Sequence, residues 1–215
     1  MSAPRTVVTA LLGNEECVTV ATLQEQARLL PGEENLLAMY ITSAREMVEQ
    51  YTGRAIRQKR YTASFDCQGA DLPWWDGVVE AARGALTFPE IELPWIPLVS
   101  VQEVRTYDLV DTEQVADVAS YRVDTSSDAM VGRVILRAGY TWPPVGRSRN
   151  GVEVDYTAGY DGTILTIPQP LVLAIAMLAT HFYTNRGDCA TPDQCLAKCG
   201  AMPLVAAYAR TRVTA

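Results

Sequence analysis

The stretch LLAMYITSAREMVEQYTGRAI, residues 36–56, predicts the first long element of the fold. Its apolar side chains recur every three or four residues, at Leu37, Tyr40, Ile41, Ala44, Met47, Val48 and Tyr51. This spacing places them on one continuous face of an α-helix. Gly53 stands where a left-handed residue commonly ends a helix. We therefore predict a helix over residues 34–52, with an apolar face that packs against a partner.

A basic run follows this helix at once and consists of Arg54, Arg57, Lys59 and Arg60. The 215-residue chain as a whole is acidic, with a formal net charge of −7. Cations are favoured near the C-terminus of a helix because the helix dipole is negative there. The dipole accounts for part of the run. A local basic patch that contacts an acidic partner is the other interpretation.

Between residues 60 and 164 the pattern changes to short alternating segments separated by Gly, Pro, Asn and Asp. The candidate strands are RYTASFD (60–66), the alternating part of IELPWIPLVSVQEVRTYD (91–108), SYRVD (120–124), GRVILRAG (132–139) and VEVDYTAGYDG (152–162). Five or six short strands with such turns indicate a compact antiparallel β unit.

A second long helix is predicted over residues 170–186, with a core face made of Leu171, Ala174, Ile175, Leu178 and Phe182. The predicted fold class is therefore α+β: a helical bundle of two long helices plus short helices, with an inserted antiparallel β unit. The predicted organisation is an N-terminal arm (1–21), a helical core (22–59 and 165–187), an inserted β domain (60–164), and a C-terminal loop and tail (188–215).

Composition and local patterns exclude several classes of protein. A net-acidic chain is not expected to coat duplex DNA, because DNA-coating proteins are usually basic. The first residues show no signal-peptide pattern. The longest apolar run, residues 171–179, is shorter than the roughly 20 residues that span a bilayer. We therefore expect no membrane partner.

The sequence shows no catalytic motif and no Gly-rich phosphate loop. Its one histidine, His181, lies in the second predicted helix, where a structural role outweighs that of a general base. The acidic pairs Glu33/Glu34 and Glu90/Glu92 have no supporting residues around them. We predict that the protein is not an enzyme and needs no cofactor.

Three cysteines, Cys189, Cys195 and Cys199, cluster near the C-terminus, and His181 could add a fourth metal ligand. Structural zinc sites favour paired CxxC-type spacing, which is absent, so no metal site is predicted. A Cys-based metal-binding module stays open as an alternative. Cys195 and Cys199, four residues apart, could also simply share one helix face.

Four tryptophans lie in Pro- and Gly-rich stretches of the predicted β unit: Trp74, Trp75, Trp95 and Trp142. A tryptophan in a loop either covers a small core or anchors an interface. We expect one or two of the four to contact other subunits.

Four motifs, in this order, resemble the head–tail connector proteins of tailed bacteriophages, also called adaptor or neck proteins, which have relatives in gene transfer agents. They are an alanine-rich helix ending in E-x-YTGR (49–54), an LP-x-x-P-L-x-S-V segment (93–101), a V-x-YTAGY strand (154–160) and a YxNR helix end (183–186). The resemblance spans about residues 20–187, with a weaker similarity in MPLVAAYAR (202–210). The cysteine-bearing insert at 188–200 departs from the family pattern.

The resemblance implies a structural virion protein, made in the cytoplasm of the bacterial host. It implies a ring, of twelve copies in the usual case, beneath the portal protein. Such a ring joins head to tail, extends the DNA channel and presents a face to the next neck or tail protein. Viral DNA passes through the ring without sequence-specific binding.

The resemblance further implies that the C-terminal tail docks on the portal, through Pro203, Leu204, Val205, Tyr208, Arg210 and Arg212. The basic run would then face a neighbouring subunit, the portal or the DNA backbone. Another neck component, such as a head-completion stopper or a tail terminator, is the alternative. Those proteins are smaller and β-rich, so two long helices argue against it.

Overall fold

The computed structural model describes residues 4–12, 16–28, 32–66, 90–125, 132–147, 149–160, 166–185 and 191–210. The chain divides into two compact units. The sheet unit comprises Met1–Leu12 and Gln58–Gly159, and the helical unit comprises Gly13–Arg57 and Tyr160–Ala215.

The sheet unit contains two antiparallel sheets, formed by β1 (Arg5–Leu11), β2 (Lys59–Phe65), β3 (Glu90–Leu93), β4 (Leu98–Tyr107), β5 (Glu113–Val115), β6 (Tyr121–Asp124), β7 (Gly132–Leu136) and β8 (Val152–Ala158). The larger sheet has the strand order β1-β2-β8-β4-β5, and the smaller has the order β3-β7-β6. In β8, burial alternates from Val152 to Tyr156, as expected for a sheet with one face in a core, and Thr157 and Ala158 are both buried. A ring stack of Trp95, Tyr61 and Tyr156 lies in this core, with centroids 5.7 Å and 5.5 Å apart.

The helical unit contains α1 (Val20–Ala27), α2 (Glu34–Thr52), α3 (Gln169–Thr184), α4 (Pro192–Lys198) and α5 (Met202–Ala206). The apolar face predicted for α2 packs against the apolar face of α3 in one core. Four of its seven residues are buried, and Tyr40, Met47 and Tyr51 are partly buried. Leu196 of α4 and Val205 of α5 complete that core. Gly53 ends α2 in the left-handed conformation, with φ of 67°.

The predicted fold class, a helical bundle of two long helices with an inserted β unit, is wrong. In the described residues, two antiparallel sheets accompany five helices, and strand content (32%) nearly equals helix content (36%). The periodicity of α2 is visible over 19 residues, whereas each strand alternates over only 3 to 10. A short alternating pattern does not reveal its partner strand, so the prediction placed too much weight on the two long helices.

Residues 5–11 are a second case in which the sequence pattern does not reveal the partner of a strand. The sequence indicated an extended arm there, and the structure pairs this segment with β2 as the first strand of the five-stranded sheet. Arg5 pairs with Ser64 and Leu11 with Lys59, with an irregularity between Val8 and Ala10. This pairing joins residues about fifty positions apart in the chain. A local sequence pattern does not show which distant segment a strand pairs with.

Candidate interaction surfaces

The motif E-x-YTGR at the end of α2 forms a fixed corner of the helical unit. Glu49 is buried, and its carboxylate accepts hydrogen bonds from the backbone N–H groups of Ile56 (2.7 Å) and Arg57 (3.3 Å). The same carboxylate pairs with the Arg45 guanidinium at 2.9 Å. Burial acts to lower the pKa of Arg45, but the carboxylates of Glu49 and Glu16 outweigh it, so this pKa lies above its ordinary value. The chain leaving α2 is therefore held by a buried ion pair.

Glu16 extends this network from the segment before α1. Its carboxylate pairs with Arg45 at 2.9 Å and with Arg57 at 3.2 Å. The Glu16 carboxylate is thus shared by two arginines of the same unit. Arg57, predicted as part of a basic contact patch, is mostly committed to this internal pairing.

Arg54 connects three parts of the helical unit that are far apart in sequence. It is only 8% exposed. Its Nε donates to the Tyr208 carbonyl at 2.9 Å, and its Nη1 donates to the Tyr160 hydroxyl at 3.2 Å. The backbone N–H of Arg210 donates to the Thr52 carbonyl at 2.9 Å. Arg54 thereby fixes the C-terminal segment to the end of α2.

The remaining residues of the predicted basic run lie on β2. Lys59 is on the buried face of the strand and is 9% exposed. Arg60, its neighbour, is on the exposed face. Of the four residues of the run, Arg60 is the one whose side chain is open to a partner.

The tryptophans have different environments. Trp142 is 4% exposed and stacks on Tyr121, with ring centroids 6.1 Å apart. Trp95 is half-buried against Tyr61. Trp74 and Trp75 lie outside the described residues. Trp95 is therefore partly accessible for a contact, whereas Trp142 belongs to the core of the sheet unit.

The predicted docking tail is partly structural. Val205 is fully buried, and Leu204 and Tyr208 pack against the core of the helical unit. Pro203 is exposed and Arg210 is half-buried. Arg212 lies outside the described residues. If this tail docks on a partner, its exposed side chains and the residues after Arg210 would make the contacts.

The solvent face of the five-stranded sheet is polar and internally paired. Arg105 lies 2.8 Å from Asp155 and 3.6 Å from Glu153. The Tyr107 hydroxyl donates to Glu153 at 3.0 Å, and burial together with this contact raises the pKa of Tyr107. These groups satisfy one another, so the middle of this face offers few free charges.

The two outer margins of this sheet are different, and the sequence did not single them out. Exposed apolar side chains follow β1, at Val7, Val8, Leu11 and Leu12. A second group surrounds β5, at Leu109, Val110, Val115 and Val118. The segment RTVVTALL carries apolar residues on both faces of a strand. This pattern indicates a contact surface only once β1 is known to lie at the edge of the sheet.

Among the described residues, no three His, Cys, Asp or Glu side chains are grouped as metal ligands. His181 Nδ1 lies 3.1 Å from the Asn185 amide nitrogen on the last turn of α3. Cys195 is buried in the core of the helical unit, and Cys189 lies outside the described residues. No helix in the described ranges has the length and apolarity to cross a membrane.

No protein-family model and no curated protein matches the chain. Several solved structures do, among them the following three. A chain of the virion of a native gene transfer agent particle has a TM-score of 0.68 and 22% identity, over 97% of this chain and 96% of that one. A chain from the neck of an empty particle, computed with C6 symmetry, has a TM-score of 0.68 and 22% identity over 97% of both chains.

A third chain, from the neck of the native particle computed with C12 symmetry, has a TM-score of 0.66 and 22% identity, over 98% of this chain and 97% of that one. The match extends over nearly the full length of both proteins, so it includes the sheet unit as well as the helical unit. At this level of identity, the comparison shows that this chain has the fold of those neck chains.

Proposed function

We propose that this protein is a structural component of a virion neck, a ring of identical subunits that joins the head of a phage-like particle to its tail. The observation that supports this most is the full-length fold similarity to neck chains of the gene transfer agent particle. The four sequence motifs that resemble head–tail connectors point the same way, and they were found without the structure. The two lines of support are therefore partly independent.

The finer parts of the proposal are the partners and the number of copies. The ring has twelve copies, lies beneath the portal and extends the DNA channel towards the next neck or tail protein. The C12 symmetry computed for one of the similar structures supports that number. Position below the portal is supported by the resemblance to connectors alone.

The C-terminal tail is proposed to dock on the portal, and the structure limits how this can be tested. A truncation before Val205 would remove a fully buried core residue and would destabilise the helical unit. A chain ending at Arg210 keeps Val205, Tyr208 and the Arg210–Thr52 hydrogen bond. It removes only residues 211–215, and with them Arg212.

The function is tested by mixing the full chain with its cognate portal ring and measuring the mass of the complex by native mass spectrometry. We expect about twelve copies on one portal ring, and a chain ending at Arg210 is expected to bind about tenfold more weakly, which corresponds to ~1.4 kcal/mol. Leu173→Lys, an exposed substitution on α3, is the matched control for stability. Absence of any portal complex for the full chain would refute the connector role and favour a different neck position.

A further inference from the structure

The apolar surface of the sheet unit is concentrated at two places. Eleven large apolar side chains are exposed in the described residues, and eight of them lie at the two ends of the five-stranded sheet. We name residues 5–12 the β1 edge and residues 109–118 the β5 edge. Exposed apolar residues scattered singly need no explanation, but two groups of four at the ends of one sheet indicate contact surfaces.

Each edge also has backbone groups that the sheet leaves unpaired. β1 and β5 are the outermost strands of the order β1-β2-β8-β4-β5. At β5, Ala116 N–H donates to Val104 and Asp108 N–H donates to Thr112, so the even-numbered residues face β4. Glu113 and Val115 therefore direct their N–H and C=O groups outward. Open strand edges of this kind pair readily with another strand.

The two edges differ in charge. At the β1 edge, Arg5 is exposed, Arg60 is exposed on the adjoining strand, and residues 4–12 contain no acidic residue. At the β5 edge, Asp111, Glu113 and Asp117 are exposed. Asp111 is paired with Arg147, and Asp117 accepts a hydrogen bond from Ala119 N–H, which leaves Glu113 as the most available charge. Opposite charge makes each edge complementary to the other rather than to itself.

We propose that the β1 edge of one copy pairs with the β5 edge of the next copy, so that the five-stranded sheet continues from subunit to subunit. The proposal rests on the proposed ring function. A contact between two different surfaces of one chain is head-to-tail, and it closes into a ring when the rotation between copies permits. The four residues Arg5–Val8, which precede the irregularity in β1, are enough to pair with the three residues of the short strand Glu113–Val115.

Two exposed positions allow each edge to be broken alone. Val8→Glu places a negative charge on the basic β1 edge, and Val115→Lys places a positive charge on the acidic β5 edge. These side chains are 50% and 53% exposed, so the fold should tolerate both changes. In a head-to-tail contact, the β1 edge of one copy binds the β5 edge of the next. Each variant alone has one intact edge, but no copy in the sample carries an intact edge of the other kind. We expect neither variant to form a ring.

The equimolar mixture of the two variants is the decisive sample. The intact β1 edge of the Val115→Lys chain can meet the intact β5 edge of the Val8→Glu chain. We expect a 1:1 dimer that grows no further, seen by native mass spectrometry as twice the mass of the chain. Leu173→Lys, which introduces the same charge as Val115→Lys at an exposed apolar position on α3 (47% exposed), is expected to assemble like the wild type.

Three results would overturn the proposal: a homodimer of Val115→Lys alone, which indicates β1 pairing with β1; rings formed by both variants; or a wild-type chain that does not self-associate either alone or on the portal. The proposed function is judged separately from portal binding by the wild-type chain. Rings without portal binding would refute the connector role and leave the edge pairing intact. Portal-bound rings formed equally by both edge variants would refute the edge pairing and leave the proposed function intact.

Discussion

At the scale of single residues, Arg54 shows how a charge can be structural. Its guanidinium donates to the Tyr208 carbonyl and to the Tyr160 hydroxyl, and both contacts lie within the helical unit. The dipole of α2 alone would favour any cation at this position. The two hydrogen bonds require the planar, multi-donor group of arginine.

Replacing Arg54 by Met should therefore lower the free energy of unfolding by about 1.5–3 kcal/mol, since charged hydrogen bonds are lost and the Tyr208 carbonyl loses its partner. Hydrogen exchange at the Arg210 amide should become faster, because the C-terminal segment is no longer fixed. Urea unfolding and exchange mass spectrometry measure both effects. Arg60→Met, at an exposed position, should stay within ~0.5 kcal/mol of the wild type. Equal stability of the two variants would contradict the structural role of Arg54.

Cys17 is a second residue whose surroundings predict its chemistry. Burial, followed by the negative charge of Glu16, raises the pKa of this thiol from 9.0 to about 11. The reactive thiolate is therefore scarce at pH 8. We expect Cys17 to be alkylated by iodoacetamide at least about tenfold more slowly in the folded chain than in urea at the same pH, even after the greater nucleophilicity of a high-pKa thiolate is considered.

The same shift has a consequence for stability. A group with a raised pKa in the folded state stabilises that state fully below the unfolded value and loses this contribution as the pH rises through the folded value. The contribution of Cys17 should thus be lost between about pH 9 and pH 11. A Cys17→Ser variant should lose less stability over that range. Peptide mass spectrometry for alkylation and urea unfolding against pH provide the two measurements, and equal alkylation rates with and without urea would contradict the burial of the thiol.

At the scale of elements, the end of α2 depends on one glycine. Gly53 has φ of 67°, and its N–H donates to the Glu49 carbonyl at 2.9 Å. A β-carbon added there would lie 3.5 Å from the Arg210 β-carbon, which is an ordinary contact. The requirement for glycine is therefore conformational rather than steric.

Gly53→Ala should lower the free energy of unfolding by about 1–2 kcal/mol, the cost of a β-carbon in the left-handed region. Gly53→Asn should cost less, because asparagine adopts this conformation more readily. Urea unfolding of both variants compares the two costs at one position. If Ala and Asn were equally harmful, crowding against Arg210, and not the backbone angle, would explain the glycine.

The elements also show what the sequence could predict. The apolar spacing of α2 and its end at Gly53 are local features, and both agree with the structure. The pairing of β1 with β2, by contrast, depends on residues about fifty positions apart. The same holds for Arg54 and Tyr208, which are 154 positions apart. Local patterns identify where helices end. Tertiary packing decides which strands pair and which groups a buried charge contacts.

At the scale of the whole molecule, charge and proposed role can be tested together. The chain has a net charge of −7, and the basic residues Arg54, Arg57 and Lys59 are largely buried or paired inside their own units. Binding of duplex DNA requires basic groups that neutralise several phosphates at once. If the chain forms the connector ring proposed above, subunits of this charge would repel DNA, which suits a channel in which DNA must slide.

We therefore expect neither the free chain nor its ring to bind duplex DNA saturably at physiological salt. Non-specific DNA-binding proteins reach dissociation constants of about 10⁻⁴–10⁻⁶ M under these conditions. Fluorescence anisotropy of a labelled duplex, titrated with the protein to ~10⁻⁴ M, makes the comparison, and a repeat at low salt serves as the control, since electrostatic attraction would appear there first. Micromolar binding that weakens steeply with salt would mean that the ring presents a basic surface to DNA, in which case the exposed Arg60 is the first residue to replace.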